Sequence, residues 1–236
     1  MELFNGVMEE TLELLSGFPC QRWDYDESLC WEDAGESELV LAGDRAFELG
    51  GGGKQGLNFT CVTTSPLPVD RDELLLYGQD LDALKEDPDY ARLAFLRIAS
   101  PGEDDETVYK TIRDIEFVKY HVFPRGFMVR INSEDCREQV RVSRRAVKAG
   151  ISFKSAGFDF IKKYREKTLV KNVKIIFIAG PGFDYQALER KAKTAAGITN
   201  ALTHIMEGLD LSCSSCVLKP VCDEVEGMRE LHFRRK

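Results

Sequence analysis

The stretch Val173-Lys174-Ile175-Ile176-Phe177-Ile178-Ala179, closed by Gly180-Pro181-Gly182, decides the fold class. A short apolar run rich in β-branched and aromatic residues, bounded by turn formers, predicts a buried strand. Directly after it, Phe183–Glu207 reads as a long helix. Leu188, Ala192, Ala195, Ile198, Leu202 and Ile205 fall three or four residues apart, as one buried stripe requires.

Upstream, Leu3, Val7, Met8, Leu12, Leu14 and Leu15 predict a short amphipathic helix, stopped by Ser16-Gly17-Phe18-Pro19. An acidic, aromatic loop from Trp23 to Glu38 follows. Five short segments then read as strands: Glu38–Ala42, Ala46–Leu49, Leu57–Thr64, Glu73–Tyr77 and Leu93–Ala99. Ser65-Pro66-Leu67-Pro68 is a turn. After Ser100-Pro101-Gly102, the acidic residues Glu103–Glu106 open a helix running through Val108, Ile112, Ile115 and Val118 toward His121. Phe127–Ile131 predicts a strand, and Arg141–Ala149 and Gly157–Lys167 predict helices, the first stopped by Gly150. The expected fold class is α+β, a mixed sheet with packed helices. Three parts are expected: an N-terminal helix and acidic loop (1–38), an α+β domain (39–207) and a Cys-rich metal-binding tail (208–236).

With 236 residues, 43% hydrophobic and 31% charged, the chain has the composition of a globular protein with a sizeable core. No apolar run approaches the roughly 20 residues that span a bilayer. The N-terminus lacks the order of a signal peptide, so seven cysteines in unlike contexts point to a reducing cytoplasm and no membrane. Cys20, Cys30, Cys61 and Cys136 read as packing or loop thiols. The net charge of −8 conceals an asymmetry. Residues 1–50 hold 13 acids against two bases, whereas residues 137–174 hold 12 Lys and Arg against three acids. One reading is a local binding surface; the other is a solvated face pairing with the acidic N-terminal half. No nucleic-acid partner is expected, because the chain is acidic and lacks the motifs of such readers.

Three features carry candidate chemistry. Cys213-Ser214-Ser215-Cys216 precedes Lys219-Pro220-Val221-Cys222, and thiolates so spaced can turn onto one metal or cluster. His232, ten residues after Cys222, is near enough to complete a Cys3His site; His204 reads as a satisfied helix residue. Gly50-Gly51-Gly52-Gly53-Lys54 is read as a hairpin loop, with an anion nest as the alternative. Arg141-Val142-Ser143-Arg144-Arg145 and Lys162-Lys163-Tyr164-Arg165 suit phosphate contacts, with Phe153, Phe158 and Tyr164 as stacking partners for a base.

Several segments in order resemble the acetyl-CoA synthase component (beta-subunit-like) of the carbon monoxide dehydrogenase/acetyl-CoA synthase complex. They are Ala46-Phe47-Glu48-Leu49-Gly50-Gly51, Gly78-Gln79-Asp80-Leu81-Asp82, Arg125-Gly126-Phe127-Met128-Val129-Arg130-Ile131, and Ser143–Phe153. With the cysteine tail, the resemblance covers roughly residues 40 to 222, a middle domain plus a shortened metal-binding tail. It implies an α+β fold, coenzyme A as ligand, and carbon monoxide dehydrogenase or corrinoid protein subunits as partners. In that family basic surface is associated with coenzyme A; Arg141, Arg144, Arg145 and Lys148 are the candidates here. Cys213, Cys216 and Cys222 match the first three thiols of an iron–sulfur cluster, with zinc as the alternative and His232 or Asp223 as further ligands. The chain lacks the Cys-Gly-Cys segment that holds nickel in the family, so neither nickel nor full synthase activity is expected. The alternative is a non-enzymatic iron–sulfur or zinc module for electron transfer, sensing or assembly.

Overall fold

The computed structural model describes residues 2–36, 38–100, 105–132, 135–206, 216–225 and 228. Eight strands form one sheet: β1 (Cys20–Asp24), β2 (Arg45–Leu49), β3 (Gly56–Thr63), β4 (Glu73–Gly78), β5 (Tyr90–Ile98), β6 (Phe127–Asn132), β7 (Arg137–Ser143) and β8 (Val170–Ala179). Their order is β1-β4-β8-β5-β3-β7-β2, with β6 on the other side of β7. β4 runs parallel to β8, and β5 parallel to β3, while β8 and β5 are antiparallel. The sheet is therefore mixed, as the α+β reading requires.

The predicted buried strand lies deep in this sheet. From Val173 to Ala179 every residue of β8 is buried, because both faces are covered. On one face Val173, Ile175 and Phe177 meet α4 (Phe153–Arg165). On the other, Ile176 and Ile178 meet α1 (Asn5–Leu15) and α5 (Tyr185–Met206). The remaining helices are α2 (Asp105–Val118), α3 (Arg144–Ala149) and α6 (Lys219–Glu224). α2 sends Ile112 into one core and Ile115 and Val118 into the other, so it closes an end of the sheet.

Four sequence readings change. Glu38–Ala42 is not a strand: Val40 is buried, but Leu39 is 71% and Leu41 60% exposed, with no ladder partner. Residues 20–24, assigned in part to a loop, form an edge strand on β4. Arg141–Ser143 end β7, a strand the periodicity hid, and α3 begins only at Arg144. α4 starts at Phe153, not Gly157, because Ser152 and Ser155 form a reciprocal capping box.

The glycine loop 50–55 connects β2 to β3 but is no hairpin, because β2 pairs with β7 and β3 with β5 and β7. The Gly50 amide donates to Pro88 O (3.0 Å), Lys54 N to Gly51 O (3.0 Å) and Gln55 N to Asp89 Oδ1 (2.7 Å). Gly50 (φ +66°) is needed for space as well: a Cβ would lie 2.8 Å from Glu138 O and 2.6 Å from Gly56 Cα.

Gly157 sits mid-helix on α4, where a Cβ would fall on Leu74 Cδ1 and lie 2.9 Å from Phe177 Cε2. Alanine favours a helix interior over glycine by about 1 kcal/mol, yet overpacking a full core costs about 1–3 kcal/mol. Gly157→Ala is expected to lower the urea midpoint without changing the slope. A midpoint equal to the parent's would show that the α4–sheet contact yields freely.

Candidate functional site

The candidate site lies at the far end of the β2–β7–β6 meander. Ser143 ends β7 and caps α3, its Oγ accepting from Ala146 N (3.1 Å). Gly150, at φ +92°, closes the helix, its N–H donating to Val147 O (3.1 Å). The chain at 43–44 is tied to α3: Arg144 N donates to Asp44 O (2.9 Å) and Arg144 Nη1 to Gly43 O (2.9 Å). Glu38 is also held, its Oε2 accepting from Gly126 N (2.7 Å). This strap leaves a hollow of about 490 Å³ lined by Arg144, Arg145 and Lys148, by the carboxylates Glu38 and Asp44, and by Leu39, Val40 and Ser143.

Three of the four expected basic contacts thus meet around one hollow. Arg141 does not join them. It lies on β7, lines the neighbouring hollow of about 550 Å³, and its Nε donates to Glu48 Oε1 (2.9 Å). Arg144 spends one nitrogen on Gly43. Arg145 and Lys148 are exposed and have no carboxylate partner among the described residues. They sit three residues apart on one helix face, beside the bare Leu39.

Several other cations of the basic stretch are paired with carboxylates, one of them within the acidic residues 1–50. Lys162 pairs with Glu27 (3.0 Å), Lys167 with Asp114 (2.7 Å), Lys163 with Glu166 (2.8 Å) and Arg165 with Asp72. Part of the charge asymmetry is therefore internal pairing; among the described residues Arg137, Lys154 and Lys171, like Arg145 and Lys148, have no carboxylate partner. Phe153, Phe158 and Tyr164, expected as stacking surfaces, are fully buried in the core against the sheet.

The tail reading falls partly outside the described residues: Cys213 and His232 lie there. Cys216 and Cys222 are described and half-buried. Cys222 is on α6, which seats Val221 against Gly197 of α5, where a Cβ would lie 2.7 Å from Val221 Cγ2. Among the described residues no three His, Cys, Asp or Glu side chains gather as metal ligands. His204 reads as satisfied from sequence, but its Nδ1 is buried with no hydrogen-bond partner among the described residues. Cys61 is fully buried and Cys30 and Cys136 half-buried, while Cys20 is exposed on the edge strand.

A polar cluster that the sequence did not signal joins α4 to the N-terminal loop. Tyr25 Oη lies 3.8 Å from Cys30 Sγ, and Asp159 on α4 faces Cys30, Trp31, Asp33 and Lys162. Burial pushes the Asp159 carboxyl up to about 7; Asp33 adds to the rise, while the Trp31 N–H, the Cys30 thiol and Lys162 oppose it. No helix among the described residues is long and apolar enough to cross a membrane. No protein-family model matches the chain, and no curated protein matches it.

Asp159 makes stability depend on pH. Its folded pKa lies above the unfolded 3.8, so the native state holds the extra proton between these values. Stability is then highest below the unfolded pKa and falls as pH rises through the folded one. Asp159→Asn should raise the melting temperature more at about pH 8 than at about pH 5. An equal shift at both would show that the carboxylate ionises in the fold without cost.

Proposed function

We propose that this chain is an acetyl-CoA-synthase-like binding module, holding coenzyme A or presenting its basic ledge to a complex partner. The observation that carries this reading is the convergence of Arg144, Arg145 and Lys148 on one hollow with an apolar lip. Arg141, Lys162 and Arg165 are spent on carboxylates, whereas Arg145 and Lys148 have none among the described residues. Exposed cations left unpaired on a rigid element suit a ligand that brings its own negative charge.

Coenzyme A matches the mixed character of the ledge. Its phosphates would meet Arg145, Lys148 and the outward nitrogens of Arg144. Its uncharged arm would lie along Leu39 and Val40. Asp44 tempers the field, while Glu38 is already engaged by Gly126 N. The ledge supplies binding and orientation, and no nucleophile or general base lines it in a reactive arrangement. Catalysis by this chain alone is not part of the proposal.

The metal half of the resemblance rests on Cys213 and His232 together with Cys216 and Cys222. The described pair alone does not make a site for an iron–sulfur cluster or zinc, so no chemistry is derived through either. Anaerobic purification followed by iron, sulfide and zinc analysis decides that half independently of the ledge.

Calorimetric titration of the full chain with coenzyme A should give heat that shrinks as salt is raised. Replacing Arg145 and Lys148 together by Glu should weaken binding roughly tenfold, equivalent to about 1.4 kcal/mol. Both residues are exposed, so the variant should melt with the parent. Absence of heat at millimolar coenzyme A, or unchanged affinity in the reversed variant, would remove the ledge from the reading.

A further inference from the structure

A second cleft, of about 430 Å³, opens between α2, α5 and the near end of β7. It belongs to the opposite end of β7 from α3, since β7 begins at Arg137 beside Cys136 and ends at Ser143. Its floor holds Asn58, which is only 2% exposed. Asn58 N and Nδ2 both donate to Cys136 O, at 2.9 and 3.3 Å. These bonds fix which way the amide faces, and its Oδ1 is shielded from solvent with no partner among the described residues. A buried acceptor without a donor is unfavourable until something supplies one.

The walls narrow the choice of donor. α2 contributes Arg113, exposed and without a carboxylate partner among the described residues, and the turn after α2 contributes the nearly buried Lys119. Lys119 Nζ lies 3.6 Å from Glu116 Oε1 and 5.3 Å from the Tyr120 ring centroid. Two cations against one carboxylate suit a monoanion or a zwitterion, and leave a polyphosphate under-neutralised. Phe117 is 58% exposed and lies with Tyr120 on the rim, their ring centroids 6.3 Å apart. Opposite, α5 presents small residues, Ala195 and Ala196, leaving room for a flat group.

We propose that this cleft binds a free α-amino acid with an aromatic side chain. The carboxylate would meet Arg113 and Lys119. The ammonium would donate to Asn58 Oδ1 and Glu116, after a small rearrangement that opens the shielded oxygen. The ring would lie between Phe117 and Tyr120 and the alanine face of α5. A plain carboxylate leaves Asn58 unmet, and a nucleotide brings more charge than the walls offset. The proposal is independent of the basic ledge, which shares no residue with this cleft.

The test uses the full chain with L-phenylalanine, L-tyrosine and L-tryptophan as probes, followed by calorimetry and thermal shift. At least one should bind and raise the melting temperature. 3-Phenylpropanoate, which keeps ring and carboxylate but lacks the amine, should bind roughly tenfold more weakly than L-phenylalanine. Arg113→Ala, at an exposed position, should likewise cost roughly tenfold in affinity while leaving the melting temperature of the free protein in place. Ala196→Phe should fill the cleft and abolish binding. If none of the three amino acids binds, the Asn58 oxygen serves only an ordered water and the proposal is overturned. Equal affinity for 3-phenylpropanoate, or binding that survives Ala196→Phe, overturns it as well.

Discussion

Glu138 is completely buried, and its carboxylate is the joint on which the sheet depends. It accepts from Arg92 Nε (2.8 Å) and Nη2 on β5, and from Tyr90 Oη (3.2 Å). Backbone pairing between β3 and β7 amounts to one register pair, Leu57 with Arg137, extended by Asn58 N donating to Cys136 O. So thin a seam could hinge. Glu138 reaches past β3 to β5 and fastens the meander to the central strands. Arg92 also lies 4.3 Å from the Phe160 ring centroid, which locks α4 into the same joint. Burial alone would lower the Arg92 pKa, but the Glu138 carboxylate outweighs it and the guanidinium stays charged. A buried ion pair is rarely worth much against an apolar replacement, but breaking one partner leaves a stranded charge costing about 3–5 kcal/mol. The pair therefore acts as a register lock, and the glycines make it reachable. Gly50 and Gly56 both lie against Glu138 O, where any side chain would collide.

That joint explains which parts of the fold were legible in the sequence. β8 could be read because its neighbours lie on both sides and helices cover both faces, leaving a run of apolar residues. β7 could not. Its last three residues, Arg141-Val142-Ser143, read as the start of a helix, and the strand buries an acid, Glu138, whose partner lies 46 residues away. Glu38–Ala42 failed in the opposite sense. Its leucines mimic a strand, but Glu38 is fixed by Gly126 and the strap passes the meander without a ladder. Gly157 looked like a helix start because glycine is a poor interior residue, whereas it is a contact point with Leu74.

The candidate site was legible in type and, but for Arg141, in its basic membership. Twelve cations in 137–174 announced a positive stretch. Which of them remained exposed and unspent depended on long-range partners: Glu48 for Arg141, Glu27 for Lys162 and Asp72 for Arg165. Only the chain reversal from β7 into α3 separates Arg145 and Lys148 from those acids. The aromatic residues near them in sequence are consumed by the core, since α4 must bury its apolar face on β4 and β8. The cleft at the other end of β7 had no local signal, because Asn58, Lys119 and Ala196 come from three distant segments.

The two hollows differ in how their charges are held, and this separates their chemistry. On the ledge, cations project from a short helix into water, where each contact is weak, screened by salt and tolerant of ligand shape. Recognition of the proposed phosphorylated ligand there would have to come from several charges acting together. In the cleft, Lys119 is nearly buried, Glu116 is its close neighbour, and Asn58 is locked by the Cys136 carbonyl. Few charges are needed where water is largely excluded, but each must meet its complement or burial is penalised. Both hollows are built on the ends of β7, so each inherits its geometry from the Glu138 joint. The strand that the sequence concealed most thoroughly is thus the one that positions both candidate surfaces.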